Sequence, residues 1–352
     1  MFLKTAIVAL ALVAALVPLD SRLVERWYST TAYPVVQRLL TPASNLVPFA
    51  WLDILIVGVV IPFVALLVRA VWRARRQKTW RPVFATLGQL IPAGALIYLL
   101  FLGLWGFNYR RVPMSERLQV GEAAPSADAV LTLGLRAVDE LNALHSAAHA
   151  EGWRITPFRD DTLRAAYASV QQILSDATPA VPGRLKRSIL GPYFRWASVD
   201  GMVNPFGLEA IGNPDLLPFE RPFVAAHEWA HLAGFADESE ASFVGWLTCV
   251  RASTPAAYSG WLFLYWQISS ELGLSDRQRL SAALDEGPQR DVAAIAERLR
   301  RGRIPRLSRA SWRVYDQYLK ANRVEEGTRS YGAVVTLLLR ARFESGWTPV
   351  RR

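Results

Sequence analysis

The chain has 352 residues, of which 52% are hydrophobic, and its 13 Trp, 15 Phe and 11 Tyr supply enough apolar mass to exclude a globally disordered protein. A mean hydropathy of +0.16 is high for a wholly soluble protein and predicts a membrane portion. The single cysteine, Cys249, excludes an internal disulfide and a cysteine-based zinc cluster. We expect Cys249 to be a small buried hydrophobic side chain.

The formal net charge of +10 would suit a nucleic-acid-binding protein, but its distribution along the chain argues against one. Residues 1–107 carry ten basic and three acidic residues, whereas residues 108–352 carry 30 and 27. Short loops between membrane spans give such a basic excess, whereas a nucleic-acid-binding domain would concentrate it on its own folded surface. We therefore expect the lipid bilayer, and no nucleic acid, among the partners.

Three apolar segments predict a membrane domain over residues 1–107, with transmembrane helices at about residues 3–19, 47–68 and 83–107. The first segment is short, because its uncharged core would reach only about 22 Å as a helix. A cleaved signal peptide is the alternative for it, although a small-residue cleavage site is missing, which favours a retained span. The third segment is the clearest, since residues 82–109 are all uncharged.

Basic residues between the apolar segments predict the orientation of these helices. The loop of residues 69–81 has six of them, whereas the longer loop of residues 20–45 has three. Loops rich in Lys and Arg stay in the cytoplasm, so the 69–81 loop should be cytoplasmic. Three spans then place the N-terminus inside and everything from residue 108 onward outside the cytoplasm.

Residues 108–352 predict a large, mostly helical domain with a small sheet, so that the fold class is mainly α (α+β). The run from Arg298 to Arg313 contains seven arginines and no acid. We expect there a solvated helix end followed by a linker, with contact to anionic lipid headgroups as the alternative. Apolar residues recur at helical spacing over 127–150, 222–235, 238–251, 257–272, 291–301 and 332–343, and residues 187–213 are strand-like.

The strongest chemical signal is the sequence His227-Glu228-Trp229-Ala230-His231, an HExxH motif that follows Pro222 at a plausible helix start. On a helix, His227 and His231 stand on one face and can bind one Zn²⁺, and Glu228 can act as general base toward water. Two surface histidines beside an acid are the alternative. The apolar flanks of the motif argue against it, because an unpaired His-Glu-His trio would be costly there.

A zinc site of this kind needs a third protein ligand, and three acids follow the motif: Asp237, Glu238 and Glu240. Asp237 stands at the metzincin position, but all three methionines precede the motif, so a methionine turn is missing. Asp237 is better suited to cap the next helix, with Glu240 completing a capping-box-like pair. We therefore prefer Glu238, which also stands in the E-x-x-A arrangement of the second helix of gluzincin peptidases, and keep Glu240 and Asp237 as alternatives.

Other residues carry weaker signals. His145 and His149 form a second pair four residues apart, but they lack a neighbouring Glu and predict a solvated helix face. Residues 203–213 would lie beside the zinc helix, either as an edge strand that pairs with an extended peptide substrate or as a structural loop. The candidates for stabilising an oxyanion are Tyr315, Tyr318 and Tyr331.

Several blocks together resemble a known family over nearly the whole chain, the bacterial membrane-protein family called domain of unknown function 3810. The core of the resemblance is the stretch from His227 to Ala241, although Ser242 stands where family members tend to have Asn. The other blocks are Val24–Ser29, Tyr33-Pro34, Trp105–Arg110, Asn204–Phe206, Tyr315–Lys320, Gly327 and Tyr331-Gly332.

The resemblance implies a multi-pass protein of the bacterial inner (cytoplasmic) membrane with a zincin-like extracytoplasmic domain. It also implies a zinc-dependent metallopeptidase of gluzincin type, with His227, His231 and Glu238 as metal ligands and Glu228 as catalytic base. A peptide or protein substrate of the cell envelope is then expected, and its identity is left open. The alternative is a non-catalytic membrane-bound zinc-binding or sensing module, against which the presence of Glu228 argues.

Overall fold

The structure is a computed structural model of the chain and describes residues 2–153, 155–322, 324 and 333–352. It is mostly helical with a small sheet, which confirms the predicted fold class at that level. The helices of the N-terminal part are α1 (Phe2–Leu16), α2 (Ser21–Leu23), α3 (Tyr33–Asn45), α4 (Trp51–Leu55), α5 (Ile61–Gln77) and α6 (Arg81–Leu104). Two π-helical segments, Val24–Ala32 and Ile56–Val60, join α2 to α3 and α4 to α5 without a break.

Two helices are long and apolar enough to cross a membrane, Trp51–Gln77 and Arg81–Leu104. A third span exists only if α1 and the helix Ser21–Asn45, which are bent by 112° relative to each other, count as one. The second predicted span corresponds to the helix Trp51–Gln77, which begins and ends later than we expected. Most of the basic residues that we placed in the following loop lie in the last turns of α5. The helix ends at Gln77, and Lys78 follows it with a left-handed φ of 51°.

Residues 20–45, which we expected to be a loop, are almost entirely helical, and α3 packs against the large domain. Polar side chains spaced four residues apart form one buried or half-buried stripe on this helix. The hydropathy pattern does not reveal this helix, because the side chains on its inward face are polar. Their hydrogen-bond partners are backbone groups that are distant in sequence. Each side chain donates to a domain carbonyl oxygen: Tyr33 to Leu232 (2.8 Å), Gln37 to Val181 (2.7 Å), Thr41 to Leu208 (2.7 Å) and Asn45 to Pro182 (3.0 Å).

The large domain is built from eleven further α-helices among the described residues. The six predicted helices are present with shifted ends, and α7, α9, α10, α14 and α16 are additional. The bounds are α7 (Met114–Arg117), α8 (Ala127–Glu151), α9 (Asp161–Leu174), α10 (Gly191–Ala197), α11 (Arg221–Leu232), α12 (Glu238–Val250), α13 (Thr254–Glu271), α14 (Leu274–Ala282), α15 (Glu286–Gly302), α16 (Pro305–Ala321) and α17 (Ala333–Arg340).

A three-stranded sheet lies beside α11 and has the order β1-β3-β2. Its strands are β1 (Leu185–Lys186), β2 (Gly201–Asn204) and β3 (Glu209–Gly212), with β3 parallel to β1 and antiparallel to β2. The strand-like region is thus only partly strand, because residues 191–197 form α10. A separate antiparallel pair joins β4 (Phe343–Glu344) to β5 (Thr348–Pro349).

Helix α11 runs through the main hydrophobic core. Its Trp229 is fully buried, and the indole N–H donates to the carbonyl oxygen of Gly183 (2.6 Å). The Tyr167 hydroxyl of α9 donates to the carbonyl oxygen of Trp229 (2.5 Å). Cys249 of α12 is fully buried in the same core, as expected from the sequence.

The arginine-rich run contains the expected solvated helix end, since the side chains of Arg300 and Arg301 in the last turn of α15 are 77% and 76% exposed. The Arg298 side chain differs: it is 8% exposed and forms ion pairs with Glu220 (2.6 Å) and Asp200 (3.0 Å), so it holds the residue that directly precedes α11. The expected linker is the helix α16, which begins at Pro305, a residue type well suited to the first turn of a helix.

A buried carboxylate attaches the apolar helix Trp51–Gln77 to the sheet. Glu209 of β3 is 1% exposed and pairs with Lys186 of β1 (2.9 Å). Its oxygens also accept hydrogen bonds from the backbone N–H groups of Trp51 (3.0 Å) and Leu52 (2.8 Å) and from the Asn204 amide (2.9 Å). N–H groups in the first turn of a helix have no partner within the helix, so Glu209 stabilises that turn and fixes its position.

We predict that Glu209→Ala lowers the free energy of unfolding by about 3–5 kcal/mol, because it leaves the Lys186 charge buried without its partner. Denaturant unfolding of the full chain in detergent measures the change. Glu297→Ala is the control, since Glu297 makes only solvent-exposed ion pairs with Arg300 and Arg301 and should leave stability nearly unchanged. Equal stability of the two variants would contradict the structural role of Glu209.

Candidate metal centre

The local sequence determines how α11 and α12 meet. Pro222 lies in the first turn of α11, and the turn after the helix contains Gly234 at a φ of +84°, a conformation that L side chains rarely adopt. Asp237 then caps α12, so that Glu238 is the first residue of that helix. This short connection brings the N-terminus of α12 back beside the last turns of α11.

The motif histidines and Glu238 form one compact cluster. Glu238 Oε2 lies 3.3 Å from His227 Nε2 and 3.4 Å from His231 Nε2, and the two imidazole rings are nearly perpendicular at 88°. Two ligand atoms at about 2.0–2.1 Å from a tetrahedral ion are about 3.3–3.4 Å apart, so these separations would suit a zinc ion. All three side chains are largely buried, with exposures of 13% or less.

The outer atoms of the three ligands are held by neighbouring groups. His231 Nδ1 lies 2.8 Å from the carbonyl oxygen of Phe235, which can only accept, so Nδ1 donates and Nε2 is the nitrogen that faces Glu238 Oε2. His227 Nδ1 lies 3.3 Å from the Ser242 hydroxyl. The Tyr315 hydroxyl donates to Glu238 Oε1, which leaves Oε2 for an ion.

Two buried oxygen atoms support this assignment. Among the described residues, neither Glu238 Oε2 nor Glu228 Oε2 has a hydrogen-bond partner. A buried polar atom without a partner costs free energy, and a cation between the Nε2 atoms and Glu238 Oε2 would remove that cost at Glu238. Two imidazoles and one carboxylate are also a donor set of catalytic zinc sites, so the residues fit the ion.

Burial is the largest single influence on each ionisable group of the cluster. It raises the pKa of Glu228 to about 8, and it lowers the pKa of His227. At Glu238 burial favours the neutral acid, but the charges of the two histidines and their hydrogen bonds together exceed it and hold the pKa well below its usual range. At His231 burial is likewise exceeded by the combined effect of Glu238, Glu228 and the Phe235 carbonyl group, which raises the pKa to about 9.

Glu228 lies against the edge strand β2. It is 3% exposed, and a Cβ atom at Gly201 would overlap its carboxylate. Helix α12 comes equally close on another side, since a Cβ at Gly245 would lie only 3.0 Å from the backbone nitrogen of His227. Glycine at these two positions therefore allows the sheet and α12 to pack directly on the motif.

The other two acids have different roles. The Asp237 side chain accepts hydrogen bonds from the backbone N–H groups of Ser239 (2.8 Å) and Glu240 (3.1 Å), which is the predicted N-cap. Glu240 does not complete a capping box, because its carboxylate accepts from the backbone N–H of Met114 and lies 3.5 Å from Arg117. Of the three acids, the structure brings Glu238 to the histidines.

Residues at the end of the apolar helix α6 also contact the site, which we did not predict. The indole N–H of Trp105 donates to the carbonyl oxygen of His231 (2.9 Å), and Tyr109 packs edge-on against Tyr318 (6.1 Å between ring centroids). Tyr318 in turn stacks on Tyr315 (5.9 Å). The sequence feature that could have predicted these contacts is the aromatic run that directly follows the apolar segment. The third tyrosine candidate, Tyr331, lies outside the described residues.

The expectation for the second histidine pair holds only in part. His149 is exposed and His145 is half-buried, but His149 Nε2 also lies 2.8 Å from the buried carboxylate of Asp291, which the sequence did not predict. The ring centroids of the two imidazoles are 4.2 Å apart. Asp291 stands 142 residues after His149, a distance at which sequence spacing carries no signal.

Comparison with known proteins gives one match. No curated protein and no solved structure matches the chain. Residues 28–339 match the family described as a protein of unknown function (DUF3810), and because this range covers most of the chain, the protein belongs to that family.

Proposed function

We propose that the protein is a membrane-anchored, zinc-dependent metallopeptidase of gluzincin type. The observation that carries the proposal is the geometry of His227 Nε2, His231 Nε2 and Glu238 Oε2, whose separations suit a tetrahedral zinc ion. An acid of the right type, Glu228, is the residue next to the first ligand and has a buried oxygen without a hydrogen-bond partner.

In this proposal metal binding, positioning and proton transfer are carried out by different residues. His227, His231 and Glu238 hold the ion, and Tyr315 positions Glu238 through its hydrogen bond. When bound, zinc supplies a Lewis acid that activates water and polarises a carbonyl group. Glu228 accepts the proton of the attacking water at its carboxylate and returns it to the leaving amine, a role that a proton affinity near neutral pH favours.

The sheet offers a place for an extended peptide. β2 is an edge strand of the three-stranded sheet, and its Gly201 contacts Glu228. A peptide that pairs with the free edge of β2 would present its carbonyl groups along α11, close to the acid. A peptide or protein of the cell envelope is therefore the proposed substrate class.

We place this domain outside the cytoplasm of a bacterium, attached to the inner membrane. The concentration of basic residues in the last turns of α5 and around Lys78 supports that orientation, because positive charge is retained on the cytoplasmic side. The two apolar helices Trp51–Gln77 and Arg81–Leu104 would then cross the bilayer as a hairpin.

One observation favours a non-catalytic alternative. The cluster is enclosed, and the Tyr315 hydroxyl of α16 covers Glu238. A zinc-binding or sensing module of the envelope would suit an enclosed ion. Such a module would not need Glu228. Among the described residues its buried Oε2 has no hydrogen-bond partner, which costs folding free energy, and a catalytic role would explain why the residue is kept.

For the metal we predict that the full chain, purified in detergent, retains about one tightly held zinc ion, and that His227→Ala, His231→Ala and Glu238→Ala each lose it. Two remaining ligands hold zinc poorly. Elemental analysis after gel filtration measures the content. Asp237→Ala is the matched control, since it should keep zinc and cost only about 1 kcal/mol of capping stability. Zinc loss in Glu240→Ala with retention in Glu238→Ala would reassign the third ligand.

For catalysis we predict that Glu228→Gln keeps zinc and fold but loses at least about a hundredfold in turnover of a peptide library, because an amide cannot accept the water proton. Glu122→Gln, an exposed change of the same type, should retain full activity. Full activity of Glu228→Gln would overturn the peptidase proposal. A zinc-loaded wild type that cleaves no peptide would favour the sensing module.

For topology we expect a reporter fused after Lys78 to report the cytoplasm and one fused after Ser126 to report the exterior. The reason is the basic character of residues 69–81. Each position is fused separately to a reporter that is active only in the cytoplasm and to one that is active only outside it, so that the two signals at each position control each other. A cytoplasmic signal from the Ser126 fusion would contradict the proposed orientation.

A further inference from the structure

A second group of metal-ligating side chains lies on other helices and shares no residue with the first cluster. His145 and His149 stand on one face of α8, and Asp291 approaches them from α15. Asp291 Oδ2 lies 2.8 Å from His149 Nε2 and 3.6 Å from His145 Nε2. These values bracket the about 3.3–3.4 Å expected between two ligands of one tetrahedral ion.

The surroundings position these three groups. The Tyr258 hydroxyl donates to Asp291 Oδ2 (2.6 Å), which fixes the carboxylate as partners of ligating carboxylates do. A Cβ atom at Gly287 would overlap the His145 imidazole, so the glycine lets α15 approach α8 closely at this point. Trp153 packs edge-on against His149 (5.0 Å) and closes one side of the cluster.

From this geometry we propose a second metal site, in which His145, His149 and Asp291 bind a divalent transition-metal ion such as Zn²⁺. Two imidazoles and one carboxylate are ligands that such ions prefer. The 37% exposure of the His149 side chain leaves room for water as a fourth ligand.

One feature favours an ion over a simple hydrogen bond between His149 and Asp291. A single hydrogen bond does not require the second histidine, whose Nε2 is 3.6 Å from Asp291 and so too distant for a good one. An ion bound by all three groups accounts for the position of both imidazoles.

The ion would connect α8 to α15 and thereby stabilise the domain. Because Oδ2 of Asp291 also accepts from Tyr258, and because His149 must give up its hydrogen bond, we expect the ion to exchange more readily than the one held by His227, His231 and Glu238. A purified sample then loses it on gel filtration and regains it when metal is added.

The test uses the full chain in detergent with the first site removed by His227→Ala and His231→Ala. Titration with Co²⁺ should produce the visible absorption bands of a tetrahedral site, saturating at about one equivalent, together with a metal-dependent rise in the unfolding temperature. Adding Asp291→Asn, which can still accept from Tyr258, should abolish both responses.

Adding His145→Ala instead should also abolish both. The loss of the imidazole that packs on Tyr258 should lower the unfolding temperature of this variant with and without metal alike, so the decisive readout is the missing metal-dependent rise. If the parent gives neither bands nor a thermal shift, the cluster is a hydrogen-bonded contact only and the proposal is wrong. An equal response in the parent and in both added variants would place the metal elsewhere. All variants lack the first site, so failure of the peptidase proposal does not affect these outcomes.

Discussion

The burial of His227, His231 and Glu238 together is the constraint on which the rest of the structure depends. Groups of this kind are stable in apolar surroundings only when their polar atoms find partners. Phe235, Ser242 and Tyr315 supply those partners from the turn after α11, from α12 and from α16. The geometry of these three side chains is therefore set by three separate segments, each of which must be in place for the cluster to form.

The N-terminal helices of the chain also contribute to this arrangement. The last carbonyl groups of a helix have no partner within it, and those of α11 accept hydrogen bonds from Trp105 at the end of α6 and from Tyr33 of α3. Glu209 fixes the first turn of the helix Trp51–Gln77 on the sheet that packs beside α11. A movement of these helices relative to the large domain would therefore disturb α11 and the sheet beside it.

How much of the fold and of the site could be predicted depended on how far apart in the sequence the interacting residues are. The HExxH face, the N-cap at Asp237 and the preference for Glu238 all follow from local spacing on two helices joined by a short turn. The helix Ser21–Asn45 escaped prediction because its inward stripe is polar and bonds to carbonyl groups more than 130 residues away. Asp291 and Trp105 were missed for the same reason, since neither lies near its partner in sequence.

The most direct test of the central claim is an anomalous diffraction measurement at the zinc absorption edge on crystals of the full chain grown with zinc. We predict a strong peak between His227 Nε2, His231 Nε2 and Glu238 Oε2, at about 2.0–2.2 Å from each. An anomalous map without a peak among these three atoms, in protein whose fold is intact, would contradict the assignment of this cluster as a zinc site.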